Sequence, residues 1–124
     1  MSIFPGEYHF EVLANCGLSY LQPDVAICGG LTVCREVTRI CEGAGIRAVP
    51  HCFSTGINLA ASLQWISTDP AGDLIEYCLQ PSPFMRRLVT NLPTLENGRV
   101  PVPKGPGLGI ELDEEIIEEY RVRA

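Results

Sequence analysis

The chain has 124 residues, 46% of them hydrophobic, and a formal charge of −6 from 9 basic and 15 acidic side chains. That is one domain's worth of sequence with enough apolar side chains to bury a core, which argues against disorder. The acidic balance, with no basic stripe and no aromatic-basic interleaving, argues against a nucleic-acid partner; the absence of a run of ~18 apolar residues argues against a membrane span.

Met1 to Tyr8 lack a basic region followed by an apolar one, so no secretory signal is expected there and the cytoplasm is the expected compartment. Phe10 to Cys16 is short and apolar, stops at Gly17, and reads as the end of a helix. Ser19 to Gln22 reads as a buried strand closed by Pro23-Asp24. After the Gly29-Gly30 pair, Thr32 is the expected N-cap of a helix. Val33, Val37, Ile40, Cys41 and Ala44 recur in it at helical spacing, and Gly43 and Gly45 end it. Ile46 to Pro50 is a second expected strand, ending at His51.

A further helix is expected from Ser54-Thr55-Gly56. Ile57, Ala60, Ala61 and Trp65 share one face, and Leu59, Leu63 and Ile66 widen it. A helix apolar over most of its circumference packs on a sheet and is itself covered. Asp69 to Asp73 is a turn, and Leu74 to Tyr77 is a third expected strand. The segment 81–109 carries most of the ten prolines and reads as an irregular tail with a hairpin at Asn97-Gly98. Asp113 is expected to cap a last helix, with Glu114 and Glu115 in its first turn and Ile116, Ile117 and Tyr120 on one side. The run of acids from Glu111 to Glu119 is then a solvated face.

Six cysteines stand at positions 16, 28, 34, 41, 52 and 78, with no CxxC pair. They are expected to be reduced and buried rather than disulfide-bonded or zinc-binding. Cys52 beside His51 is not a nucleophile pair, because neighbours on a strand point to opposite faces.

The middle of the chain alternates strand, helix, strand, helix, strand with short connections. That order predicts parallel strands with right-handed crossovers, in either a doubly wound sheet or a barrel. No Gly-x-Gly-x-x-Gly follows the first strand, so the dinucleotide-binding version is disfavoured. The three strand ends carry Asp24, His51 and Glu76, and in parallel α/β folds that end forms the active-site face. Each has a plainer reading, as a turn residue, a structural histidine and a surface acid; their shared placement is what points to chemistry. A carboxylate on one imidazole nitrogen leaves the other nitrogen free as general base or acid. A protonated Glu76 would donate a hydrogen bond to a developing oxyanion.

Leu21-Gln22-Pro23-Asp24 followed by Gly29-Gly30-Leu31-Thr32 resembles the signature of the mandelate racemase group of the enolase superfamily. Val49-Pro50-His51 with Ala60 to Leu63, then Leu74 to Tyr77, resemble the strands and helix that follow it. Asn97-Gly98 and the stretch from Pro101 to Gly109 resemble the segment before the family's final acidic helix. The resemblance covers nearly all of the chain after Gly17.

It implies an α/β fold that is the C-terminal portion of a (β/α)7β TIM-like barrel, over residues 1–80, with a Pro/Gly-rich tail and final helix over 81–124 that pack on a capping domain. Family members hold a carboxylate substrate on Mg²⁺ and remove the proton beside the carboxylate, giving a metal-stabilised enediolate. His51 is implied as general base or acid, Asp24 as its partner, and Glu76 as the acid that hydrogen-bonds the enediolate. Relatives with this pattern look like sugar-acid dehydratases, with some racemases or epimerases, so the substrate is expected to be a small carboxylate or sugar acid.

Two metal-binding acids and a Lys-x-Lys base, which the family places on earlier strands, have no counterpart here. The third metal-binding acid normally lies in a Gly-Glu at a strand end, which Gly6-Glu7 matches and which makes Glu7 the candidate metal ligand. Its separation from Asp24, 24 − 7 = 17, is shorter than the family usually has. The chain alone is therefore expected to be incomplete and inactive. It needs the missing barrel half or capping domain, or serves as a self-associating half-barrel module, or is an inactive remnant. Open strand edges make a homo-oligomer the physical expectation.

Overall fold

The computed structural model describes residues 7–79 and 82–123, apart from the side chains of Glu7 and Tyr8. Helix α1 spans Glu7–Ala14 and unwinds through Asn15 and Cys16, whose N–H groups donate to carbonyls three residues back. Gly17, at φ 74°, then turns the chain in a conformation that glycine adopts without steric cost. Phe10 and Ala14, one turn apart, put one face of α1 into the core.

Strands β1 (Tyr20–Leu21) and β2 (Arg47–Ala48) pair in parallel, Tyr20 opposite Arg47 and Leu21 opposite Ala48. Both are shorter than their sequence suggests, and the reason is chemical. Val49 N–H still donates to Leu21 O at 2.9 Å, and His51 N–H to Pro23 O at 3.1 Å. The bond back from position 23 to Val49, which would continue the ladder, needs an N–H that Pro23 lacks. The two segments therefore run on side by side in register, bonded in one direction only, as far as Asp24 and His51. The third expected strand, 74–77, is not formed as a strand: it is extended backbone tied to the sheet by Glu76 N–H donating to Pro50 O at 3.3 Å.

Helix α2 (Leu31–Ala44) is capped by Gly30 rather than by Thr32. Gly30 sits at φ 89° and ψ −172°, closed to L side chains, so the chain turns into the helix at the glycine pair and leaves Thr32 inside the first turn. Gly45, in the left-handed region, ends α2 by donating to Cys41 O and Glu42 O, while Gly43 stays within the helix. Helix α3 (Gly56–Ile66) has nine of its eleven residues buried, as its all-round apolar sequence requires. Trp65 locks α3 to α2, its Nε1 donating to Thr38 Oγ1 at 3.0 Å. The larger core joins Phe10, Leu21, Cys34, Val37, Ala48 and Trp65; a second cluster gathers Cys52, Leu59 and Leu63.

The segment after residue 81 is more ordered than its prolines suggest. Helix α4 (Pro83–Arg87) starts at Ser82, whose Oγ accepts from Met85 N–H, with proline at the first helical position. Val89 and Leu112 form an antiparallel bridge, flanked by Thr90 N–H to Glu111 O and Asp113 N–H to Leu88 O, each at 3.0 Å. Asn97-Gly98, at φ 51° and 74°, makes the expected tight hairpin turn between Glu96 and Arg99. Asp113 caps helix α5 (Glu114–Glu119), accepting from Glu115 and Ile116 N–H, and Ile116 is fully buried. The tail is held on α3 by Gln64 Nε2, which donates to Pro103 O at 2.8 Å. Among the described residues no helix is long and apolar enough to cross a membrane.

Candidate active site

The register of the sheet brings the three strand-end residues together. Continuing the Tyr20–Arg47 pairing by four residues on each strand puts Asp24 opposite His51. The bond from Glu76 N–H to Pro50 O puts Glu76 opposite His51 on the other side. Alternation along the strands then sends all three side chains to one face. His51 Nδ1 lies 2.9 Å from Asp24 Oδ2, and His51 Nε2 lies 3.9 Å from Glu76 Oε2.

Asp24 is only 6% exposed, and its carboxylate is fully occupied. Oδ1 accepts from Ala26 N–H at 2.8 Å, an Asx turn that the following loop makes with its own backbone. Oδ2 faces the imidazole. An ionised carboxylate only accepts, so Nδ1 carries the proton of the neutral ring and donates it in this contact. The lone pair of the ring is then on Nε2, toward the open face, where the side chain of His51 is 41% exposed. Phe53 lies alongside, its ring centroid 5.8 Å from that of His51.

Glu76 Oε2 is buried and has no hydrogen-bond partner, and 3.9 Å is too far for one with Nε2. A buried carboxylate oxygen without a partner is costly. An oxygen atom about 2.8 Å from both Glu76 Oε2 and His51 Nε2 would satisfy the two together. The pair is thus spaced to act on one substrate atom or on adjacent ones.

Two members of the site are missed by the sequence reading. Asn58, in the first turn of α3, places Nδ2 3.2 Å from each oxygen of the Asp24 carboxylate. Ser62, one turn later, donates its Oγ–H to Asn58 Oδ1 at 3.4 Å. The available signal is an amide and a hydroxyl at i and i+4 on a helix otherwise apolar all round. Cys52 turns the opposite way from His51, into the second core cluster, and burial pushes its thiol up to about 11. It is a thiol, not a nucleophile, at neutral pH. All six cysteines are free. Cys28, Cys34, Cys41 and Cys52 are buried as expected, whereas Cys16 is exposed and Cys78 half-buried.

Glu7, the expected metal ligand, is the first residue of α1, and its side chain, like the whole of Gly6, lies outside the described residues. Among the described residues no three His, Cys, Asp or Glu side chains cluster as a metal site would need. Asp24 is already saturated by donors and Glu76 stands by the histidine, so neither is disposed to ligate. The donor set described here does not fit Mg²⁺, which takes near-octahedral oxygen coordination.

A buried acid, an imidazole and a second acid are thus aligned at the ends of parallel segments, an arrangement chemically able to move a proton. Residues 4–116 match the model of the "Enolase C-terminal domain-like" family, and the chain belongs to the enolase superfamily, in its mandelate racemase/muconate lactonizing enzyme family. It is 30% identical over 121 residues to a D-galactarolactone cycloisomerase of Agrobacterium fabrum, covering 91% of this chain and 32% of that protein. It is 30% identical over 124 residues to a D-galactonate dehydratase of Ralstonia pickettii, covering 88% and 30%. Its fold superposes on a mandelate racemase/muconate lactonizing enzyme from Jannaschia sp. CCS1 with TM-score 0.85 at 28% identity, over 96% of this chain and 30% of that one. The chain thus spans about a third of the length of the relatives it matches.

Proposed function

We propose that this chain is the C-terminal part of an acid-sugar dehydratase-like or racemase-like enzyme that removes the proton beside a substrate carboxylate. The observation that carries this reading is the Asp24–His51–Glu76 alignment, with Nδ1 of His51 held by the buried carboxylate and Nε2 free. His51 Nε2 takes or delivers the proton. Asp24 fixes the ring and stabilises the imidazolium once the proton has arrived. Glu76, in its acid form, donates a hydrogen bond to the oxygen on which charge gathers. In a dehydration, His51 could return its proton to the leaving hydroxyl.

The family's chemistry calls for a cation against the substrate carboxylate, and we assign Mg²⁺ to the complete enzyme. Its other ligands, a Lys-x-Lys base and most of the residues that choose the substrate are assigned to the earlier barrel strands and a capping domain. Glu7 remains the one ligand proposed from this chain. The whole would close as a (β/α)7β barrel, with 81–124 against the cap. Among the described residues, β1 pairs with β2 on one side only, and Leu18 and Tyr20 are exposed. The free edge of β1 supports docking of further barrel strands, and a second copy of the chain is the alternative occupant.

The test is a substitution in the complete enzyme. His51→Asn is expected to lower turnover of a sugar-acid substrate about 10²–10⁴-fold, the usual worth of a general base. Turnover within twofold of the parent would remove His51 from the mechanism.

A further inference from the structure

We infer that Asn58, oriented by Ser62, is a positioning residue that holds the Asp24 carboxylate against His51 and so sets which imidazole nitrogen carries the proton. The inference rests on the proton-transfer role proposed for His51 but concerns geometry that exists without substrate.

Asn58 is 4% exposed and Ser62 is fully buried, on a helix whose remaining buried residues are apolar apart from the glycine that starts it. Burying an unpaired amide or hydroxyl is costly. Here each group has a partner, and the chain of partners leads to one place. Ser62 Oγ–H donates to Asn58 Oδ1, so the amide presents its NH₂ end, not its oxygen, to Asp24. At 3.2 Å from both carboxylate oxygens, Nδ2 straddles the carboxylate and resists its rotation about the Cβ–Cγ bond. Ala26 N–H holds Oδ1 from the loop side. Oδ2 is thereby left aimed at His51 Nδ1. With Asn58 reversed, amide oxygen would meet carboxylate oxygen, so the carboxylate sets the direction of the amide and the Ser62 hydroxyl holds it there by satisfying the buried amide oxygen.

The consequence is specific. Without the amide, Asp24 keeps Ala26 N–H but is free to swing, the contact to Nδ1 opens, and the ring loses its preference for the Nδ1–H tautomer. The free lone pair then sits on Nε2 only part of the time. Asn58 touches no reacting atom; it acts through Asp24 and His51.

The experiment is nitrogen-15 and proton NMR of the full chain, reading the tautomer of His51 from its ring nitrogen shifts and the solvent exchange of its Nδ1–H. Three variants are compared: Asn58→Leu, which keeps the volume and removes the donor; Ser62→Ala; and Ile66→Ala, which weakens the same helix two turns away. The expected result is an Nδ1–H tautomer with slowly exchanging proton in the parent and in Ile66→Ala. Exchange should be at least about tenfold faster, with a mixture of tautomers, in Asn58→Leu. Ser62→Ala should lie between. If Asn58→Leu does not fold, the Ser62→Ala spectrum decides alone. Parent-like tautomer and exchange in the folded donor-less variant, or in Ser62→Ala when it decides alone, would overturn the inference. Because no turnover is read, this outcome is separate from a failure of the proposed function, which shows as an active His51→Asn enzyme with the NMR result intact.

Discussion

At the scale of single residues, position in a low-polarity fold decides what each group does. His51 and Cys52 are neighbours in sequence, yet one faces the open end of the sheet and the other enters the core. Burial pushes Cys41 and Cys52 from an ordinary 9.0 up to about 11, with Asp69 and Asp24 respectively adding to the effect. A thiol whose folded pKa is raised favours folding most when protonated. Its contribution is whole below about pH 9, where the unfolded thiol begins to ionise, and is lost as pH climbs through about 11. Chemical denaturation at pH 8 and pH 10.5 is therefore expected to show lower stability at the higher pH, by on the order of 1–2 kcal/mol per thiol. Cys41→Ala with Cys52→Ala should reduce that dependence; an unchanged slope would mean these two thiols do not contribute to it. The same burial orders their reactivity. Exposed Cys16 is expected to alkylate within minutes at neutral pH, and Cys28, Cys34, Cys41 and Cys52 only on unfolding, which mass spectrometry of timed samples reads directly.

At the scale of elements, the helices were legible and the sheet was legible in order but not in extent. The pattern of Val33, Val37 and Cys41 marks α2, and Asp113 marks the start of α5, because caps and periodicity are local signals. The strands fell short of their apolar runs because Pro23 withholds an N–H, a loss that matters only once its partner strand is known. The reading of 81–109 as irregular missed α4, although Ser82-Pro83 is a start signal, and missed the Val89–Leu112 bridge, whose partners lie 23 residues apart (112 − 89). One contact in this region is open to test. A Cβ on Gly56, at the start of α3, would lie 2.6 Å from Leu92 Cδ1 and 2.8 Å from Val89 Cγ2. Gly56→Ala is expected to destabilise the fold by about 1–3 kcal/mol by prising the tail from α3. A parent-like denaturation midpoint would show that the tail yields at no cost.

At the scale of the whole molecule, the acid–imidazole–acid group was legible because the ends of successive parallel segments lie side by side, even where, as at 74–77, the last is extended backbone rather than a strand. Its supporting half was not, because the meaning of Asn58 lies in Asp24, 34 residues away (58 − 24). The metal is the part least anchored in this chain, since the described residues offer no cluster for it. Calorimetric titration of the chain with Mg²⁺ is expected to give no saturable binding in the low millimolar range, because a single carboxylate cannot fill the coordination shell. A stoichiometric isotherm would mean that a ligand set exists outside the described residues. Under the proposed function, saturable binding should appear in the complete enzyme.

Under the proposed function, His51, steered by Asp24, moves the proton beside the substrate carboxylate. Proton NMR in D₂O follows it without reliance on product release: the assembled enzyme is given a sugar-acid substrate and loss of the signal at the carbon beside the carboxylate is timed. Exchange is expected to be catalysed by the parent, abolished by His51→Asn, and slowed about 10²-fold or more by Asp24→Ala. Exchange at the parental rate in His51→Asn would contradict it.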